Sequence, residues 1–393
     1  MKLKKILLYL GGGIILILLT ISLAINFFDF NDFKPQIIKS IKEATGKNII
    51  IKGNIHVNFI PGFYVSAEKI FVENEKGYHK KYIVQANKLL LYLNLIDLWN
   101  KKIKIKELKL KSPQINLESK KGKNNWDFLT KKKSSKSNKN PDQNEDDSFK
   151  FTSINLSISE GIFSYKKGNK SYLVNKLNGS SKLSLGYQGE IKTSGKISIE
   201  TIKYIDPSAM KKKKKEKKKN SEKKHPFKGW SKKEIKIPGL EKITSDLTLK
   251  INKIYYNNLL ISNSRVKFHS NKEEFSLNGE TEVEGIHLNV ESSQKKGKNL
   301  LVEAKVSTYN KNIKELFDLF EIKDIKNKES KMHVEGQLDF STHVYTKGKS
   351  LYDLMNNLHG PIDFDLKKGS FKGLSVKKIK EKIKKLDNFI SLL

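Results

Sequence analysis

The chain is 393 residues long, carries a formal net charge of +35 and has no cysteine. That length bounds it to one or two folded units, and the missing cysteine excludes disulfides, thiolate catalysis and zinc–cysteine sites. The charge would ordinarily point to nucleic acid or an anionic membrane, but Arg265 is the only arginine among the 77 basic residues, and bidentate base and phosphate contacts rely on arginine; no nucleic-acid partner is expected.

Ile6 to Phe28, "ILLYLGGGIILILLTISLAINFF", is a run of 23 residues without a charge behind Lys2, Lys4 and Lys5. As a helix it measures about 34 Å, enough for a hydrocarbon layer about 30 Å thick. A cleaved signal peptide is the competing reading, with Ser22-Leu23-Ala24 as its small-x-small site, but the apolar region of such peptides spans about 7 to 15 residues. A single-pass anchor is the expectation, its lysine-bearing N-terminus in the cytoplasm and the bulk of the chain across the membrane. Lys34, Lys39 and Lys42 follow on the far side and keep the charge asymmetry modest.

"NDFKPQIIKSIKEATGK" then reads as a short helix, with Pro35 at an early helical position, Ile37, Ile41 and Ala44 on one face and Gly46 as the closing residue. From Asn48 to Phe59 the odd positions Ile49, Ile51, Ile55, Val57 and Phe59 are apolar, with Gly53 breaking the pattern and Pro61-Gly62 turning the chain. A partner strand is expected from Phe63 to Glu73, its phase slipping at Glu68-Lys69 as a bulge would produce. The alternation continues through Val84–Leu95, where Leu89, Leu91, Leu93 and Leu95 share a face, then Ile103–Leu110 and Ile115–Leu117. This part reads as an antiparallel meander with one apolar side.

Lys131 to Ser148 has no periodicity and reads as a disordered linker. Strands resume with Phe149, Phe151, Ile154, Leu156 and Ile158 and again over Leu183–Ile199. The run Lys211–Lys224, "KKKKKEKKKNSEKK", cannot pack a core; it reads either as a solvated insertion or as a contact for anionic headgroups. Strands return from Ile243 to Val306. Two short helices follow, one with Ile313, Leu316, Phe317 and Phe320 on a face, the other with Leu351, Leu354, Met355 and Leu358, capped by Ser350 and Asp353 and closed by Gly360. The terminal "SVKKIKEKIKKLDNFISLL" is amphipathic, and two readings stand: a helix lying on a membrane surface or one capping a sheet. The resulting division is 1–28 anchor, 29–130 helix and β-meander, 131–148 linker, 149–200 β-rich continuation, 201–235 lysine-rich insertion, and 236–393 β-rich region with a terminal amphipathic helix.

The eight histidines are scattered singly, and there is no H-E-x-x-H, P-loop, G-x-S-x-G or G-x-G-x-x-G pattern. No catalytic, metal or cofactor-binding residue is nominated, and the chain is not expected to be an enzyme.

The tract "NDFKPQIIKSIKEATGKNIIIKGNIHVNFIPG" through "VENEKG", then "LLLYLNLIDLWNKKIKIKELKLKSPQINL" and "GKNNWDF", resembles the N-terminal part of AsmA-like proteins of Gram-negative bacteria. The positions that carry the resemblance are Pro35, Thr45, Gly46, Gly53 and Pro61, then Asn74, Pro113, Leu117, Gly122, Asn125 and Trp126. "VEGQLDFSTHVYTKGKSLYDLMNNLHGPIDFDLKKGSFKGLSV" is similar to the family's C-terminal region, with Gly360, Gly369 and Gly373 in place. The chain departs from the pattern in its lysine insertion and in stopping soon after "GSFKGLSV", so it is either a compact or a shortened member.

The resemblance implies a mainly β protein of the inner membrane: a transmembrane helix followed by an elongated, curved antiparallel sheet with an apolar groove and a few short helices, related to TamB-like and chorein-type bridges. About eighteen strands at about 4.8 Å make such a groove at most roughly 90 Å long. It also implies outer-membrane biogenesis, with phospholipid as the bound or transferred partner and the bulk of the chain in the periplasm. Ile55, Val57, Phe59, Leu89, Leu91, Leu93, Phe151, Ile154 and Leu156 are the candidate groove lining; alternatively these faces pack against other protein. The second functional reading is a non-enzymatic scaffold that assists outer-membrane protein assembly, with envelope proteins as partners.

Overall fold

The structure, a computed structural model, describes residues 29–58, 62–94, 96–97, 104–127, 153–185, 190–206, 230–235, 243–256, 259–315 and 333–372. The chain divides into two compact units, Met1–Leu185 and Gly186–Leu393, and the division falls inside the segment 149–200. Among the described residues the protein is mainly β, with nine strands in the first unit and eight in the second. No helix among them is long and apolar enough to cross a membrane. The expected anchor Ile6–Phe28 lies outside the described residues, as do the linker 131–148, the lysine run 211–224 and the terminal amphipathic segment.

The first unit opens with a 3-10 turn, Phe30–Phe33, capped by the Asp29 carboxylate, and with α1 (Lys34–Thr45). Pro35 sits in the first turn of α1, and Gly46, in a left-handed conformation, ends it by donating to the Lys42 carbonyl at 2.7 Å. The strands are β1 (Ile49–Ile51), β2 (Ile55–Asn58), β3 (Tyr64–Glu73), β4 (Tyr82–Leu93), β5 (Ile105–Lys111), β6 (Gln114–Lys120), β7 (Lys123–Asn124), β8 (Ser153–Lys167) and β9 (Lys170–Leu185). β1 and β2 are two halves of one ladder against β3, broken at Gly53. β5 and β6 are likewise halves of one ladder against β4, broken at Ser112-Pro113.

The expectation of a purely antiparallel sheet is corrected here. β5 and β6 both run parallel to β8, so the sheet is mixed. Parallel neighbours need a crossover connection of about a dozen residues or more, and the stretch containing the linker 131–148 is that connection. Alternation in the sequence reports which residues share a face, not the direction of the neighbouring strand.

A second departure concerns phase. Lys69, Ser112, Glu160 and Lys176 all have positive φ, between 47° and 55°. Register places them at one level of neighbouring ladders: Glu68 pairs with Lys88, Lys88 with Lys111, and Lys111 with Ser159. The β3–β4 ladder stays in step across Lys69, whereas against β1 and β2 three residues, 52–54, oppose Glu68 and Lys69, so the slip is a left-handed residue in β3 facing one extra residue in the β1–β2 edge. These residues form a row of kinks across the sheet and separate an upper from a lower apolar patch.

The second unit contains β10 (Ile191–Ile205), β11 (Ile243–Tyr256), β12 (Leu259–Ser270), β13 (Glu274–Val283), β14 (Ile286–Lys295), β15 (Leu300–Asn312), β16 (His333–Gly348), α2 (Leu351–Asn356) and β17 (Ile362–Lys372). β10 and β11 are parallel, and the lysine-rich segment lies in the connection between them; β11 to β17 form an antiparallel meander. Of the first expected helix after β15, only Ile313–Glu315 is described, as helix. α2 has the expected capping box, with Ser350 Oγ accepting from the Asp353 amide at 3.1 Å and Asp353 Oδ2 from the Ser350 amide at 3.0 Å. Its end differs from expectation: Asn357 closes the helix. Gly360 instead crosses β16 so tightly that a Cβ would lie 2.1 Å from the His343 carbonyl oxygen, which excludes any side chain there.

Candidate functional site

Directly opposed residues on neighbouring strands project to the same side of a sheet. Register therefore converts the alternation of single strands into rows that cross them. In the lower half of the first unit, Ile55 faces Ala67, then Leu89, Leu110 and Ile158. The adjacent row on that face runs from Val57 through Val65, Leu91 and Leu108 to Leu156. Above the kinks a third row links Ile49, Val72, Val84, Ile115, Phe163 and Val174. Ile55 and Ala67 are buried, whereas the Val57–Leu156 row is half-buried throughout.

The reverse side of the lower half is chemically different. His56, Ser66, Leu90, Lys109 and Ser157 share one row there, and Asn58, Tyr64, Tyr92, Glu107 and Asn155 the next. Lys109 bonds Glu107 at 3.2 Å and lies 4.5 Å over the Tyr92 ring, which in turn packs on Tyr64 at 5.0 Å. Ser157 donates to Glu107 at 3.2 Å. The Lys88 ammonium, 3.1 Å from Glu68, holds that carboxyl below the usual glutamate range. Among the described residues no group of three or more His, Cys, Asp or Glu side chains is placed to hold a metal ion.

The second unit repeats the division. Ile197, Leu249, Val266, Gly279, Val290, Ala304 and Val344 form a row across seven strands, and Leu247, Phe268 and Leu277 lie in the row beside it. Next to the seven-strand row, on the other side, project Ser198, Lys250, Arg265, Glu280, Asn289, Lys305 and His343. Arg265 pairs with Glu280 at 2.9 Å. His343 Nε2 lies 2.5 Å from Glu303 and its Nδ1 3.1 Å from the Tyr345 hydroxyl; the imidazole contact holds the Glu303 carboxyl below its ordinary value.

Of the nominated lining residues, the structure brings Ile55, Val57, Leu89, Leu91, Ile154 and Leu156 to one face. Leu93 extends that face along β4 and pairs with Ile105 across a register shift. Phe59 and Phe151 lie outside the described residues. Val65, Ala67, Leu108, Leu110 and Ile158, which complete the rows, and the whole seven-strand row of the second unit are not among the nominated lining residues, although Leu110 and Ile158 belong to the expected strands. The signal for Leu108 and Leu110 is the two-residue spacing in "KELKLK", visible once its strand is paired with β4.

A family model described as the AsmA family matches residues 1–168 and 191–388, most of the chain. The chain belongs to the AsmA family. No curated protein and no solved structure matches it. In this AsmA-family chain the positions that carried the resemblance have structural tasks. At Gly53, hydrogen-bonded to the Glu68 carbonyl at 3.0 Å, a Cβ would lie 2.6 Å from that of Glu68. Asn74 folds the β3–β4 turn by donating to the Lys80 carbonyl at 3.0 Å. Pro113 is fully buried, and its carbonyl accepts from Ile162 at 2.7 Å. Gly122 turns β6 into β7 with positive φ.

Asn125, 2 % exposed, accepts from the Glu118 amide at 3.0 Å and donates to the Asn116 carbonyl at 2.9 Å. Trp126 meets Tyr165 edge-on at 5.9 Å, and the backbone of Gly369 passes against Gly336. Leu117 shares a row with Tyr165 and Tyr172. Thr45 is the last residue of α1, while Pro61 and Gly373 lie outside the described residues. The AsmA signature thus marks the turns, breaks and close approaches that set the register, and the register lines up the apolar rows.

Proposed function

We propose that this AsmA-family protein is a membrane-anchored, non-enzymatic component of envelope biogenesis that binds phospholipid on the apolar faces of its sheets and passes it along them. The observation that carries the reading is the register of the apolar rows, above all the seven-strand row from Ile197 to Val344. Such rows run across the strands, so consecutive side chains lie about 4.8 Å apart. An acyl chain laid on a row gains about 0.8 kcal/mol per CH2 removed from water. A displacement by one strand exchanges one set of Ile, Val and Leu contacts for a similar set, which favours sliding over trapping. No bond is made or broken, and no acid, base or nucleophile is required. In this reading the N-terminus is cytoplasmic and the two units are periplasmic.

The test is native mass spectrometry of detergent-extracted protein together with a photo-crosslinking residue at Leu91, at Val290 or, on the reverse side, at His56. Bound phospholipid and acyl-chain adducts at Leu91 and Val290 but not at His56 are expected. A lipid-free protein without adducts overturns the reading. Recovery of a stoichiometric envelope-protein partner, with lipid distribution unchanged on deletion, would assign the scaffold role instead.

A further inference from the structure

The entry of the chain into its first unit is fixed with almost no slack. The Asp29 carboxylate accepts from the Asn31 amide at 2.9 Å and from the Asn31 side chain at 2.7 Å. Asn31 in turn accepts from the backbone amide of Ile55 at 2.9 Å. The turn Phe30–Phe33 thus packs against β2, and α1 runs on against β1. Three residue steps separate Phe28 from Asn31, so whatever holds Phe28 lies at most about 11 Å of extended chain from the Asn31 backbone. Phe33 at this edge is 40 % exposed; Lys39 and Lys42 are exposed and Lys34 half-buried, against the carboxylates Asp32 and Glu43.

We infer that this edge of the first unit, made by the Phe30–Phe33 turn, α1 and β2, lies directly on the lipid surface from which the N-terminal segment emerges. Phe33 enters the interfacial layer, and Lys34, Lys39 and Lys42 meet headgroup phosphates. The inference rests on the reading that Ile6–Phe28 spans a bilayer. Given that span, the Asp29–Asn31–Ile55 clamp replaces a flexible tether with a rigid joint. Two things follow from the geometry. The joint sets the unit's distance from the membrane, since α1 is only about 18 Å long. It also brings Ile55 and Val57, where the two lower apolar rows begin, within reach of the adjacent leaflet.

The absence of cysteine makes single-cysteine labelling clean in the full chain. Fluorophores are placed at Phe33→Cys, Lys39→Cys and, in the β8–β9 turn about 19 Å across the ladder, Lys167→Cys. The proteins are reconstituted into phosphatidylethanolamine–phosphatidylglycerol vesicles bearing a headgroup nitroxide, with aqueous iodide as the opposing quencher. Several-fold stronger nitroxide quenching and weaker iodide quenching at positions 33 and 39 than at 167 are expected. A flexible Gly/Ser insertion between Phe28 and Asp29, which leaves the folded contacts intact, should bring the signal at 33 down to that at 167; Asn31→Ala should lower it in part. Equal quenching at 33, 39 and 167 in protein that resists carbonate extraction overturns the inference. Loss of the protein from the vesicles in carbonate overturns both the inference and the spanning anchor. The Leu91 crosslink reports separately on the lipid-binding reading.

Discussion

Replacing Gly53 with alanine tests whether the break between β1 and β2 is set by close approach. The new Cβ would lie 2.6 Å from the Glu68 Cβ and 2.8 Å from its carbonyl oxygen, against about 3.5–4.0 Å for carbon atoms in optimal contact, so one strand must retreat by about 1 Å. The retreat is opposed on both sides. Gly53 donates to the Glu68 carbonyl at 3.0 Å, Glu68 to the Asn54 carbonyl at 3.2 Å, and Lys52 to the Lys69 carbonyl at 3.0 Å, while β4 holds Glu68 from behind. Overpacking costs about 1–3 kcal/mol, and loosening one or two ladder bonds adds about 1 kcal/mol each. The expected loss is about 2–5 kcal/mol, or roughly 4–20 °C in the melting temperature of a unit this size. Thermal melting followed by circular dichroism, with hydrogen exchange read at the Ile55 and Val57 amides, checks it. Gly62→Ala is the control, because nothing lies within 4 Å of the atom it adds. Equal melting temperatures for the two variants, with exchange at Ile55 unchanged, would refute the close-approach argument.

Asn125→Ala leaves the Glu118 amide and the Asn116 carbonyl without their side-chain partner; a loss of about 2–4 kcal/mol is expected in denaturant titration. Gly360→Ala cannot be accommodated beside the His343 carbonyl and should unpair Tyr345 from His359, read as faster exchange of those two amides. Acid stability has a defined sign. Glu68 and Glu303 are held below 4.5, by hydrogen bonds from Lys88 and His343, and Asp339 and Asp353 below 3.8, by those from Lys367 and Ser350. Their contribution is fully present above those ordinary values and is lost as pH falls through the lower folded ones; denaturant midpoints should be level from pH 7 to about 5 and fall below it. Leu91→Glu should abolish lipid adducts from Val57 while the melting curve stays cooperative, since Leu91 is half-buried.

Strand positions were legible in this sequence because alternation is a local property. "NKLLLYLNL" announces β4, and the Pro35 and Gly46 signals bracket α1. What was not legible depends on neighbours. Nothing in Ile105–Lys120 states that the strand beside it is β8, running the same way, because direction is decided by the connection and not by the strand. The phase changes at Ser112, Glu160 and Lys176 were hidden for a related reason: none is a glycine, so a left-handed backbone at those positions has no compositional mark. The site followed the same rule. Leu89 and Leu91 were visible as one face of β4, while Val65 and Leu108 joined them only through the register.

The parallel pairing of β5 and β6 with β8 has a consequence for the order of synthesis. Hairpins such as β3–β4 can close as soon as both strands have emerged, but the far side of β5 and β6 waits until residues 153–167 have been made. During that interval Leu108, Leu110 and Ile115 border an open ladder edge whose amides and carbonyls are free to pair with any passing strand. The intervening stretch is rich in lysine, serine, asparagine and aspartate, a composition that offers that edge no competing apolar strand. Closing a loop costs only about 0.6 kcal/mol more for each doubling of its length. The crossovers can therefore lengthen or drift in composition at little thermodynamic expense, whereas a lost kink at Ser112 or Glu160 would put β6 and β8 out of step.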